Sequence, residues 1–392
     1  MSKQQVKTNK RWYKRWFKGK KNILGLLEPW SFAMIADLHV GIDAPNKDFG
    51  APGWDDNSNY SNSMNNKGLQ NLMTSVSKIN ESIENENPNN IKFVAVLGDF
   101  TDSAELSELQ AAKDALNQLK IPWLPIIGNH DIWPYTGSTE FPRPTIGGEG
   151  PDKYFNEIFS DAYQSFCGKL GLPSTWKELP RVLNTETGPH FYSYFQNLAF
   201  DYGGFHFIGL DFNDRHHSID SWPFFFKGVS GMANLYDFNG GTWSWFKQHL
   251  TDYLNNPDNR SKGKDIIILS HHPFESPYTG AAHKEVEEVM GFSLGEKGAI
   301  ANFLNSYKDY LNVQFSGHYH PGDKVSWWPW ALTDHVPITQ YLVRLYLYIF
   351  PKKVMPCVTI PGNLNVPWVQ IVKLNPNNKV INYDEELCHA MP

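Results

Sequence analysis

Residues 123–131 read WLPIIGNHD. An apolar run stops abruptly in Gly128, Asn129, His130 and Asp131. Alone, that tetrapeptide is ordinary turn chemistry, because Asn and Asp tolerate left-handed backbone angles and bond their own backbone. Repetition gives it a second meaning. SFAMIA (31–36) runs into Asp37-Leu38-His39, and FVAVL (93–97) into Gly98-Asp99-Phe100-Thr101-Asp102. DIIILS (265–270) runs into His271-His272-Pro273, and VQF (313–315) into Ser316-Gly317-His318-Tyr319-His320. Five apolar segments end in the same short clusters of Asp, Asn and His.

Between the first three lie helical patterns, LQNLMTSVSKINESI (69–83) and AELSELQAAKDALNQL (104–119). Strand, helix, strand, helix, strand is the signature of parallel βαβ units. FHFIGL (205–210) continues the strand series, and CVTI (357–360) with WVQIVKL (368–374) is expected to complete a second sheet. In such α/β sheets ligands bind in the crevice beyond the carboxyl ends of the strands. Asn129 and His130 are therefore read as parts of a shared site.

The residue types narrow its chemistry. Carboxylates, one amide oxygen and several imidazoles form a mixed N/O donor set without thiolate. Such donors suit Mn, Fe, Zn or Ni better than Ca or Mg, which prefer oxygen shells. Six or seven ligands exceed the needs of one tetrahedral ion. Two divalent transition-metal ions sharing a carboxylate would use them, clamping both oxygens of an in-line displacement.

In order, D-x-H, G-D-x-x-D, G-N-H-D, H-x-P and G-H-x-H resemble the motifs of the calcineurin-like metallophosphoesterases, over roughly residues 31–373. The resemblance implies a four-layered α/β/β/α sandwich, a dinuclear metal centre, and hydrolysis of phosphoesters by in-line attack of a metal-bridging hydroxide. Carried over by position, Asp37, His39 and His320 would hold one ion, and Asn129, His271 and His318 the other. Asp99 would bridge them. His130 would act as acid or electrostatic partner of the leaving oxygen, with Asp131 orienting its ring, and Asp102 would tie its own motif down by hydrogen bonding.

Departures from the family's branches are informative. Its protein Ser/Thr phosphatases follow G-D-x-x-D with Arg-Gly and use G-N-H-E, and its purple acid phosphatases place Tyr where Asp102 stands. The motif style here is closest to the cyclic-nucleotide and glycerophosphodiester hydrolases, so a diester of a small molecule or lipid is the expected substrate. A phosphomonoesterase or nucleotidase, or a non-catalytic membrane-associated scaffold, is the alternative. Arg215 and His216, in the loop after 205–210, are either substrate grips or solvated loop residues. His272 either packs behind the metal or faces substrate. Trp133, Tyr135, Tyr319, Trp327, Trp328 and Trp330 either line an apolar or base-stacking wall or pack within loops.

With 392 residues, 41% hydrophobic and 19% charged, the composition is globular and long enough for a sizeable core. Residues 1–29 are read as a basic aromatic tail and 30–392 as one elaborated domain. Its long loop insertions, near 40–66, 132–200, 213–240 and 321–355, are expected to form a cap. Residues 1–21 carry nine Lys or Arg and no acid, leaving 26 bases against 41 acids in the rest. With Trp12, Tyr13, Trp16 and Phe17 interleaved, this tail reads either as a peripheral contact with an anionic membrane, nucleic acid being the weaker match, or as a solvated terminus. NILGLL is too short for a signal peptide, and no apolar run reaches a membrane-spanning length. ITQYLVRLYLYIF (338–350) is interrupted by Arg344. Cys167, Cys357 and Cys388 form neither a disulfide framework nor a metal knuckle, which points to the cytoplasm. Nothing in the sequence speaks to oligomeric state.

Overall fold

The computed structural model describes residues 27–41, 67–102, 104–132, 147–150, 152–173, 181–185, 190–215, 231–274, 291–319, 324–325, 354–360, 362–363 and 366–389. The first helical unit follows the sequence reading closely: β1 (Trp30–Ile35), α1 (Lys67–Glu84), β2 (Ile91–Leu97), α2 (Leu106–Leu116) and β3 (Trp123–Ile126). Then come α3 (Lys153–Leu170), the short strands β4 (Val182–Leu183) and β5 (Tyr192–Ser193), β6 (Leu198–Tyr202) and β7 (Phe205–Leu210). The chain continues through α4 (Thr242–Asn255), α5 (Pro257–Arg260), β8 (Ile266–Ser270), α6 (Leu294–Asn305) and β9 (Leu311–Ser316). It closes with β10 (Lys324–Val325), β11 (Cys357–Thr359), β12 (Trp368–Asn375) and β13 (Val380–His389).

One five-stranded sheet has the order β13-β12-β1-β2-β3, and a six-stranded sheet the order β10-β11-β9-β8-β7-β6. β1, β2 and β3 are parallel, as are β7, β8, β9 and β11. The expectation for WVQIVKL is corrected here. β12 pairs antiparallel with β1 in the first sheet, and only β11 joins the second. β12 lies between β1 and its hairpin partner β13, which forms the edge of that sheet.

Strand alternation sorts the side chains into three separate cores. Phe32, Met34, Phe93 and Leu97 of the first sheet meet Phe207, Ile267, Leu269 and Phe315 of the second. On the other face of the first sheet, Ala33, Ile35, Val94 and Val96 pack under α1, α2 and α3 through Leu72, Val76, Leu109 and Phe159. On the far face of the second, Ile208, Ile266 and Ile268 pack under Trp243, Phe246, Ile300 and Leu304 of α4 and α6. Three apolar interfaces separate four layers, α/β/β/α. Strands buried on both faces read as unbroken apolar runs, and for that reason they were visible in the sequence.

At the end of the second sheet opposite its carboxyl ends, His206 Nδ1 meets Asp201 at 3.0 Å, and its Nε2 meets His249 Nε2 at 3.0 Å. Burial, followed by the neighbouring His206, pulls His249 down to about 4. An unfolded His titrates near 6.5, so the unfolded chain takes up the extra proton as pH falls. The contribution is present above pH 6.5 and is lost toward pH 4. Across that window the His249 ring is expected to remove up to about 3 kcal/mol of stability. Urea unfolding of His249→Gln should show a flatter pH dependence between 6.5 and 4.5 than the native chain.

The insertions near 40–66, 213–240 and 321–355 lie mostly outside the described residues, as do the basic tail up to residue 26 and ITQYLVRLYLYIF, whereas most of 132–200 is described and holds α3, β4 and β5. Among the described residues no helix is long and apolar enough to cross a membrane.

Candidate metal centre

Asp37 and His39 follow β1, Asp99 follows β2, and Asn129 follows β3, all from the first sheet. His271 follows β8 and His318 follows β9 in the second. The two sheets thus present their carboxyl ends to one cleft. Asp37, His39, Asp99 and His318 have φ of 50°, 43°, 51° and 75°. Non-glycine residues in this region are uncommon and gather at functional sites, where the surroundings over-determine them. Here the surroundings are neighbouring loops. Asp37 N donates to Gly98 O (3.0 Å), while Leu38 N and His39 N both donate to Asp99 O (2.7 and 3.0 Å). Gly98 and Gly128 allow this closeness. A Cβ on Gly98 would lie 2.3 Å from His271 Nδ1, and one on Gly128 would lie 2.2 Å from Asp99 N.

Four donor atoms converge between the sheets. His271 Nε2 is 2.9 Å from Asn129 Oδ1, 3.2 Å from Asp99 Oδ2 and 3.2 Å from His318 Nδ1. His318 Nδ1 is 3.0 Å from the same Asn129 oxygen. Neighbouring ligands about 2.1 Å from an octahedral ion stand about 3.0 Å apart, so these separations fit a transition metal. The outer contacts fit as well. His271 donates Nδ1–H to Leu97 O (2.9 Å), which leaves Nε2 to face the cluster. His318 N donates to Asp37 Oδ1 (2.8 Å), tying the two sheets together at the site.

Asp99 also belongs to a second group, with His39 and His130. His39 Nε2 lies 3.7 Å from Asp99 Oδ2, and its Nδ1 lies 3.3 Å from Asp102 Oδ1. A carboxylate behind an imidazole fixes its tautomer and raises its basicity as a ligand. The rings of His39 and His130 meet edge to face, with centroids 4.4 Å apart. The two donor groups share Asp99 and no other residue.

The electrostatics are those of a cation site. Burial opposes charge on His271, yet Asp99, its hydrogen bond and Asp37 raise the ring to about 9. Burial also opposes charge on His39, and the Asp102 hydrogen bond with the nearby carboxylates overcomes it. Asp99 is held well below the ordinary carboxylate range, because His271, His130 and His39 outweigh its burial. Without metal, protons on the imidazoles occupy the charge balance that an ion would take.

The calcineurin-like phosphoesterase family model matches residues 31–322, well over half of the chain. The chain belongs to the calcineurin-like phosphoesterase family. Its fold is similar to that of a dimetal phosphatase from Danio rerio, at 13% identity over 88% of this chain and 96% of that one, with a TM-score of 0.46. It is also similar to a purple acid phosphatase from yellow lupin, at 14% identity over 92% of this chain and 54% of that one, TM-score 0.42. A phosphopantetheinyl hydrolase from Mycobacterium tuberculosis matches at 12% identity over 86% and 90%, TM-score 0.36. The chain thus spans about half the length of the lupin enzyme. No curated protein sequence matches it.

In this member of the family, three expectations are corrected. Asp131 does not orient His130. Its carboxylate accepts from Gly128 N (2.8 Å), Thr101 N (3.0 Å) and Thr101 Oγ1 (3.2 Å), while His130 donates Nδ1–H to Asp102 O (2.9 Å). The tight turn at His130–Ile132 folds the Asp131 side chain back onto its own loop. Burial, then Asp99, raises Asp131 to about 7.

Arg215 does not face substrate. Its side chain is fully buried, with Nε on Asp152 Oδ2 (2.9 Å) and Nη2 on Asp211 Oδ2 (2.6 Å). Removing one member of a buried ion cluster strands the others, at a cost of about 3–5 kcal/mol. Arg215→Ala should lose stability on that scale, read from the shift of its urea midpoint.

His272 is likewise turned from the cleft. It is buried, donates Nε2–H to Gly231 O (2.9 Å), and packs its ring 4.4 Å from that of His318. Burial, then His271, lowers it to about 3. Of the remaining candidates, Tyr319 is buried with its ring 4.9 Å from His318. His320, His216, Trp133, Tyr135, Trp327, Trp328 and Trp330 lie outside the described residues. Sequence reading missed the roles of Asp152, Asp211 and Asn213; the last two lie in the polar run DFNDR after a buried strand, and Asp152 stands apart from it, directly before α3.

Proposed function

We propose that this protein is a phosphoesterase in which Asp37, His39 and His320 would hold one transition-metal ion and Asn129, His271 and His318 another, with Asp99 serving both. The sharing of Asp99 by two otherwise separate donor groups carries the reading. When bound, such ions supply Lewis-acid polarisation of the phosphoryl oxygens and a nucleophile at neutral pH. The chain supplies the rest. Leu97 O and Asp102 hold His271 and His39 in the tautomers that aim Nε2 inward. Asp102 O holds the His130 ring, and Asp99 Oδ1 accepts from its backbone N–H (2.9 Å). Burial first, then His39, keeps that ring neutral in the free protein, near 3. Negative charge on a bound phosphoryl group favours a proton on Nε2, where it can pass to the leaving oxygen.

The preferred substrate is a diester. Its support is the motif style, and Arg215, the cation expected to grip the phosphate, is committed to Asp152 and Asp211 and adds no charge at the rim. The deciding experiment loads the metal-free protein separately with Mn, Fe, Zn and Ni. It compares turnover of bis(p-nitrophenyl) phosphate with that of p-nitrophenyl phosphate. Diester turnover with two ions bound is expected. A monoester preference would reverse the substrate reading, and two bound ions without turnover of either would mark a binding scaffold.

A further inference from the structure

We infer that Asp211, Asn213 and Arg215 form a latch across the two sheets that positions Asn129, so that breaking it selectively weakens the ion site made by Asn129, His271 and His318. The inference rests on the metal reading above and adds residues that touch no ligand atom. Its physical basis is that the site is split. Asn129 comes from the first sheet, while His271 and His318 come from the second. A metal site tolerates errors of only about 0.2 Å in ligand distance, so the offset between the sheets has to be fixed near the ion.

The loop after β7 does this at two points. Asn213 Nδ2 donates to Ile127 O (3.0 Å), two residues before Asn129, and to Asp211 Oδ1 (2.9 Å). Both amide protons are used, which locks the plane of that side chain. Asp211 is held in turn by Arg215, with Nη1 and Nη2 each reaching one carboxylate oxygen (3.2 and 2.6 Å). Arg215 Nη1 also donates to Asn213 O (2.8 Å). The guanidinium then reaches across to Asp152 Oδ2 (2.9 Å), directly before α3, the helix that packs beside β3. A loop of the second sheet is thereby fastened to the strand end and to the helix that carry the Asn129 loop. All four side chains are buried, and such geometry constrains position far more than exposed pairs do.

The test titrates metal-free, full-length protein with Co2+ and follows the visible d–d absorption of the bound ion. Asn129→Ala identifies which binding step belongs to its site. In Asn213→Ala, that same step is expected to weaken about tenfold to a hundredfold, as for other residues that support ligands from behind. The other step should keep its native affinity. Arg215→Lys keeps the charge and loses the two-pronged grip, and the same step should weaken. If Arg215→Lys does not fold, Asn213→Ala, which removes a single donor, decides alone. Leu250→Ala, in the core beneath α4, lowers stability away from the site and should leave both steps native. Native affinity at both steps in Asn213→Ala, or an equal loss in Leu250→Ala, would overturn the latch alone. A native chain that binds fewer than two ions overturns the dinuclear reading and the latch with it.

Discussion

Asp99→Asn is expected to leave a folded protein that holds at most one ion and has lost at least about a thousandfold in turnover. Its carboxylate is the member common to both donor groups, with Oδ2 facing His271 and His39 and Oδ1 accepting from His130 N. The amide keeps the shape and one oxygen, so the hydrogen bond from His130 N can survive. What it removes is the negative charge and the second acceptor, and both ions lose them together. Metal chemistry at such sites supplies several kcal/mol of transition-state stabilisation, and each 1.36 kcal/mol is tenfold in rate. The metal-free variant should also be less stable than the native protein, because the charge removed is the one that sustains the proton on buried His271. Metal analysis, diester turnover and thermal unfolding in chelator measure the three parts. Two ions bound with near-native turnover would show that Asp99 does not bridge.

Much of this site was legible because its parts are local. Each described ligand sits within four residues of the end of a strand buried on both faces, and such strands are the plainest signal a sequence offers. The errors share another cause, which is partners distant in sequence. Nothing near WVQIVKL shows that it will pair with β1 from the far end of the chain. β13 is polar, lies at the sheet edge and carries no apolar run, so it left no trace. Arg215 was placed in the correct loop and turned the wrong way. Its direction is set by Asp152, 63 residues earlier, and a polar string such as DFNDR reads as surface without that partner. Asp131 follows His130 directly, which suggested that one orients the other. The tight backbone turn decides otherwise and sends the carboxylate to Thr101 and Gly128.

His130→Ala separates proton transfer from metal binding. The ring lies within reach of His39 and Asp99, so geometry alone would also allow it to be a ligand. Its hydrogen bonding argues for a proton carrier. Nδ1–H is committed to Asp102 O, so a proton passed to the leaving oxygen would travel through Nε2. On this account His130→Ala keeps both ions and slows a poor leaving group, such as an alkyl alcohol, by about a hundred- to ten-thousand-fold, the range of general acid catalysis. For p-nitrophenol, which departs with little help, the loss should be much smaller. Plotting rate against the pKa of the leaving alcohol for both proteins gives the answer: the variant's slope should be steeper. Parallel lines would mean that His130 positions substrate without transferring a proton, and loss of one ion from the variant would make it a ligand.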